Sequence, residues 1–127
     1  MSKKVKILLV EDDTFLREII LKKLSSEGFE VVEAEDGEKA LLAAEKDVYD
    51  VILLDLIIPV INGFEVLEKV RSLPDKQMAG VPIFVLSNLG EEDDIKKAMD
   101  LGANDYLVKA HFTTDEIVEK IKKELGI

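Results

Sequence analysis

The sequence predicts an α/β fold: a (βα)5 doubly wound, five-stranded parallel sheet with strand order 2-1-3-4-5. Three observations carry this. Strand-like and helix-like stretches alternate from one end to the other. Three strand-like runs, Ile7–Val10, Val51–Leu54 and Ile83–Leu86, are apolar without alternation, as strands covered on both faces require. Two others, Phe29–Ala34 and Asp105–Lys109, are more polar and suit the sheet edges, where that order puts them.

Each element has a local reason. Val5–Val10 reads as the first strand. Thr14–Ser26 reads as a helix, because Phe15 and Ile19, and Leu16, Ile20 and Leu24, recur at spacing four; Gly28 stops it. Phe29–Ala34 is the second strand. Asp36 is an N-cap for a helix carrying Ala40, Leu41, Ala43 and Ala44. Asp50–Leu56 is the third strand, and Asn62 caps a helix that turns Phe64, Leu67 and Val70 inward. Leu73–Val81, with Pro74, Gly80 and the following Pro82, is the longest expected loop. Pro82–Ser87 is the fourth strand. Glu91–Leu101 is a helix with Ile95, Ala98 and Met99 apolar, closed by Gly102. After the Asp105–Lys109 strand, Thr113 and Glu116 form a capping box opening a last helix with Ile117, Ile121 and Leu125 at spacing four.

The 127 residues fit one domain with one core, so residues 1–127 are expected to be a single unit with no output domain. Cysteine is absent, which excludes a disulfide framework, thiol catalysis and zinc–thiolate sites. With 27 acids against 17 bases the net charge is −10, which argues against nucleic acid and anionic membranes as partners. Met1–Lys4 leads into a strand too short to be a leader or a membrane span, so the expected location is cytoplasmic.

The chemistry sits where the apolar runs stop. The first runs into Glu11-Asp12-Asp13, the second into Asp55, the third into Ser87, and the weaker Tyr106–Val108 run ends in Lys109. In a parallel sheet these groups converge on the edge where open α/β sheets bind ligands. Asp12 and Asp13 can cap the first helix or hold a cation; Glu11 reads as a flanking residue. Asp55 ends the most apolar strand, where an unpaired carboxylate is costly. Carboxylates suit Mg²⁺, and a carboxylate can serve as a nucleophile toward phosphorus. Ser87 and Lys109 supply a hydroxyl and an ammonium suited to phosphoryl oxygens.

Over essentially its whole length the chain resembles the receiver domains of two-component response regulators, the CheY-like family with its flavodoxin-like topology. The matching residues are Glu11-Asp12-Asp13, Asp55 with Pro59 four and Gly63 eight residues on, Ser87, Asp105-Tyr106 and Lys109. The resemblance implies that Asp12, Asp13 and Asp55, with the backbone carbonyl of Ile57, hold Mg²⁺. It implies that Asp55 accepts a phosphoryl group from a sensor histidine kinase, a phosphotransfer protein or a small phosphodonor. Lys109 and Ser87 then engage the phosphoryl oxygens, and Ser87 and Tyr106 act as the switch. The surface of the Glu91–Leu101 helix, the Tyr106 strand and the last helix would change for an unknown downstream protein partner, the chain being a monomer or weak dimer. It would be a stand-alone signalling switch, not an enzyme beyond its own phosphorylation and dephosphorylation.

Some positions depart from the family pattern. Ala110 stands where proline usually follows the lysine, which favours a trans Lys109–Ala110 bond, since a non-proline cis bond costs about 2.5–4 kcal/mol. Ile57 and Leu89, two beyond Asp55 and Ser87, are aliphatic and predict slow self-dephosphorylation; Asn88 either narrows access to Asp55 or hydrogen-bonds the site. His111 reads as surface or capping, and Tyr49 as packing. A phosphorylation-independent pseudo-receiver is the alternative, with Ala110 its one point of support. A flavodoxin-like FMN protein is disfavoured because Glu11-Asp12-Asp13 would repel a phosphate without a cation. An Asp-dependent phosphatase is disfavoured because Ile57 stands where its acid/base Asp belongs.

Overall fold

The structure, a computed structural model, describes residues 4–127; Met1, Ser2 and Lys3 of the expected lead-in lie outside them. Strands β1 (Lys6–Val10), β2 (Glu30–Ala34), β3 (Val51–Leu54), β4 (Ile83–Ser87) and β5 (Asp105–Val108) form one parallel sheet in the order β2-β1-β3-β4-β5. The expected doubly wound topology is therefore present, and the polar strands take the edges. Pleating splits the apolar strands between two cores. Ile7, Leu9, Val51, Leu53, Phe84 and Leu86 face one side. Leu8, Val10, Ile52, Leu54, Ile83 and Val85 face the other. Such double burial explains why these runs carry no alternation.

Helices α1 (Thr14–Ser26) and α6 (Thr114–Leu125) cover the first face through Ile20, Leu24, Ile117, Val118 and Ile121. The second face is covered by α2 (Gly37–Lys46), α3 (Gly63–Arg71), the single turn α4 (Lys76–Ala79) and α5 (Glu92–Asp100). Caps fall where the sequence places them: Asp13, Asp36 and Asn62 each accept an amide of the first turn, and Thr113 with Glu116 completes a capping box. Gly28 and Gly102 take positive φ just past their helices.

Three details differ from the sequence reading. The Leu73–Val81 loop contains α4, because Asp75 caps Gln77 and Met78 and the turn buries Met78. Of the two spacing-four lines on α1, only Leu16, Ile20 and Leu24 face inward; Phe15 is 74% exposed and Ile19 is also exposed. On α5 only Ala98 is buried, while Met99 is exposed.

Arg71 ties the lower edge together. Its Nε and Nη2 donate to Gly102 O, its Nη1 to Ala79 O and Val81 O, and Nη2 also to Asn104 Oδ1. Every guanidinium N–H is thereby used without a carboxylate partner, and burial lowers the Arg71 pKa.

Candidate functional site

After β2 the chain crosses β1 to reach β3, so the reversal point of the sheet lies between β1 and β3. Val10 pairs with Leu54, which sets the next residues, Glu11 and Asp55, level with each other. Both are buried, at 2% and 4% exposure, beside the fully buried Ser87 at the end of β4. Lys109 reaches across from the end of β5. Its Nζ lies 2.6 Å from Glu11 Oε1 and 2.8 Å from Asp55 Oδ2. Carboxylate oxygens of Glu11, Asp12 and Asp55 lie within 4.8 Å of one another. Together with Asp13, Ile57, Asn88 and Lys109 they line an open pocket of about 340 Å³.

The electrostatics follow from this packing. Burial pushes the Glu11 carboxyl up; the Lys109 hydrogen bond opposes that and the Asp55 charge adds to it. Burial works to lower the Lys109 pKa, but its bonds to Asp55 and Glu11 outweigh it and hold the ammonium above its ordinary value. Three carboxylates against one ammonium leave an excess of negative charge that a divalent cation balances. Hard oxygen donors at this spacing fit Mg²⁺.

The loop after Asp55 is held by close backbone approaches. Ile57 N donates to Asp55 Oδ1 at 3.1 Å, and Gly63 N to Leu56 O at 3.0 Å. A Cβ on Gly63 would meet Asp55 O at 2.4 Å, and one on Gly37 would meet Ile61 O at 2.0 Å. Ile61 N donates to Pro59 O at 2.9 Å around Val60, whose φ is +72°. That is a γ-turn of the strained, positive-φ kind, centred on a β-branched residue.

Glu11 is a correction to the sequence reading: it is a core member of the site, not a flanking residue. Asp13, expected with Asp12 at the metal, stands outside the three-carboxylate group; it caps α1, accepting Leu16 N at 3.1 Å. The missed signal was register, since Glu11 follows β1 as Asp55 follows β3. Ile57 is 59% exposed at the pocket, whereas Leu89 turns away and packs against the core. Leu89 N donates to Ser87 Oγ at 3.3 Å, and Tyr106 Oη donates to Leu89 O at 2.5 Å. Cis peptide bonds are absent among the described residues, so Lys109–Ala110 is trans, as expected; Lys109–His111 forms a 3₁₀ turn with His111 exposed. Arg17, which sequence reasoning passed over, donates from Nη1 to Glu11 O at 2.8 Å.

A doubly wound parallel sheet with buried acids and a lysine bridging them at its reversal point defines an α/β domain with a cation-suited acidic site. The sequence pattern of the response regulator receiver domain matches residues 7–122, and the chain belongs to that family. It is 36% identical over 125 residues to a probable transcriptional regulator ycf27 of Guillardia theta, covering 98% of this chain and 47% of that protein. It is 32% identical to the DNA-binding dual master transcriptional regulator RpaA of a Synechocystis strain, covering 92% of this chain and 47% of that one. The chain thus spans about half the length of the curated relatives it matches. Among solved structures, the receiver domain of sensor histidine kinase PA1611 from Pseudomonas aeruginosa superposes with a TM-score of 0.88 at 31% identity, covering 98% of this chain and all of that one; it has magnesium coordinated in its active-site cleft. Receiver domains of two-component response regulators are signalling modules rather than classical enzymes. Among the described residues no helix is long and apolar enough to cross a membrane.

Proposed function

We propose that the domain is a phosphorylation switch whose acceptor is Asp55, acting by binding rather than turnover. The observation that carries this is Lys109 Nζ bonded at once to Asp55 and Glu11, with Asp12 beside them. Glu11, Asp12 and Asp55 would hold Mg²⁺, with the Ile57 carbonyl and, through water, Asp13 completing its surroundings. Bound there, the cation supplies charge neutralisation for the transferring phosphoryl oxygens.

An Asp55 carboxylate oxygen attacks the phosphorus of the donor. A new O–P bond forms while the donor's P–N or P–O bond breaks, and the leaving group takes that electron pair. The donor is a phosphohistidine on a sensor histidine kinase or phosphotransfer protein, or a small phosphodonor. Lys109 then moves from carboxylate to phosphoryl oxygen. Ser87 Oγ, turning to donate to another, gives up the Leu89 amide. Because Tyr106 is tied to the Leu89 carbonyl, that shift reaches Tyr106 and hence the surface of α5, β5 and α6. A downstream protein that prefers one of the two surfaces reads the state.

The architecture around the switch has two forms: a stand-alone cytoplasmic protein acting through contact, or the receiver of a longer regulator like those relatives. With a net charge of −10, nucleic-acid contact in the second form would lie outside these 127 residues. The intact mass of the native protein separates the two. Lys109 reaches Asp55 at 2.8 Å without a proline at 110, which supports the switch over the phosphorylation-independent pseudo-receiver alternative.

The test is intact-mass spectrometry after incubation with acetyl phosphate and Mg²⁺, beside Asp55→Asn. One Mg²⁺-dependent phosphoryl adduct, lost in the variant, is expected. A folded protein that takes no adduct from acetyl phosphate or from a panel of histidine kinases would overturn the reading.

A further inference from the structure

Resting on that reading, we infer that Arg17 is a positioning residue for the metal-binding acids. The last rung of the β1–β2 ladder is incomplete. Glu11 N donates to Ala34 O at 3.1 Å, extending the pairing one residue past β1. In a parallel ladder the carbonyl of the same residue would accept from the amide two residues further along β2, that of Asp36. The chain has left the sheet by then, because Asp36 caps α2. Glu11 O is therefore left without a strand partner at the point where its peptide must aim Asp12 toward Asp55.

Arg17 fills that rung from α1. Its Nη1 donates to Glu11 O at 2.8 Å, while its Nε pairs with Glu33 on β2 at 3.1 Å, the arginine side chain being only 13% exposed. The guanidinium thus holds the Glu11–Asp12 peptide at its carbonyl, while Glu33 holds the guanidinium in place. That peptide joins Glu11, whose carboxylate faces Lys109, to Asp12, whose carboxylate faces the pocket. Arg17 touches neither the acceptor oxygen nor a carboxylate of the metal group in this arrangement. It acts through the Glu11–Asp12 peptide, and losing it lets that peptide rotate.

The test uses the full chain and isothermal titration with Mg²⁺, with urea unfolding of each variant measured in parallel. Arg17→Ala should weaken Mg²⁺ binding about tenfold, the range seen when groups supporting metal ligands are removed. The Mg²⁺ concentration giving half-maximal acetyl phosphate labelling should rise in step, while the final adduct per chain at saturating Mg²⁺ stays unchanged. Arg17→Lys, which keeps one donor for Glu11 O, should recover part of the affinity. A purely structural role would lower the urea midpoint and leave the Mg²⁺ affinity of the folded protein within twofold of the parent, and that result overturns the inference. If Arg17→Ala does not fold, Arg17→Met keeps the aliphatic stem and carries the same two outcomes. A parent protein that binds no Mg²⁺ at all would sink the inference together with the switch reading; a parent that binds it normally isolates the inference.

Discussion

Val60 should be a better glycine than a valine. Its φ of +72° sits at the centre of the Pro59–Ile61 γ-turn, and its side chain is 72% exposed, so little burial is lost on removing it. An L-residue held in this region carries about 1–2 kcal/mol of strain from its Cβ. Glycine loses that strain but gains unfolded-state freedom worth about 0.4–1 kcal/mol against folding. The net for Val60→Gly is stabilisation of about 0.5–1 kcal/mol, which for a chain of this size raises Tm by about 2–4 °C. Val60→Ala keeps the Cβ and should gain less; Val60→Asn, more tolerant of positive φ, should fall between. Urea unfolding monitored by far-UV circular dichroism measures all three. A Val60→Gly midpoint at or below that of the parent, with an unchanged m value, would refute the strain argument.

Further outcomes follow from other parts of the molecule. Arg71→Lys leaves several of the carbonyls of Ala79, Val81 and Gly102 without a donor, and should cost about 2–4 kcal/mol in urea unfolding; a loss below half a kcal/mol, roughly the surface background, would refute it. Burial raises the phenol pKa of both tyrosines, with the Asp94 charge adding at Tyr106 and Lys6 opposing at Tyr49. The unfolded chain then gives up these protons first, near pH 10, while the folded one retains them, so their contribution to stability is lost as pH rises past about 10. A tyrosinate absorbance titration with a midpoint no higher than in urea would contradict this. Ile57→Ala opens the pocket to water and should speed loss of the phosphoryl group severalfold, whereas Leu89→Ala should lower stability instead; equal decay rates for parent and Ile57→Ala would refute the first half.

Much of this was readable in the chain. The strands could be ordered because Val51–Leu54 and Ile83–Leu86 show the unbroken apolarity that burial on both faces demands, and the caps Asp36, Asn62 and Thr113 announce themselves by residue type. Side-chain direction was harder. Phe15 and Ile19 share the spacing of Leu16 and Ile20, and only the angle at which α1 lies on the sheet decides which line faces the core. The acids were hard to rank for a related reason. Glu11, Asp12 and Asp13 are alike in type, and what separates them is strand register, which makes Glu11 level with Asp55 and leaves Asp13 to the helix. Arg17 left no local mark, since its role comes from a carbonyl orphaned by the departure of a neighbouring strand.

The thin seating of α5 has a consequence for how much work the phosphoryl group must do. Of its nine residues only Ala98 is buried, and among its further contacts Lys97 lies 4.4 Å above the Phe64 ring. Repositioning such a helix opens no large void and strands no big side chain, so its alternative placements are separated by a small free-energy gap. Populations across a gap of that size respond to a single added charge. Under the proposed switch, that looseness would let both placements coexist before any phosphate arrives, with part of the unmodified protein already in the signalling form.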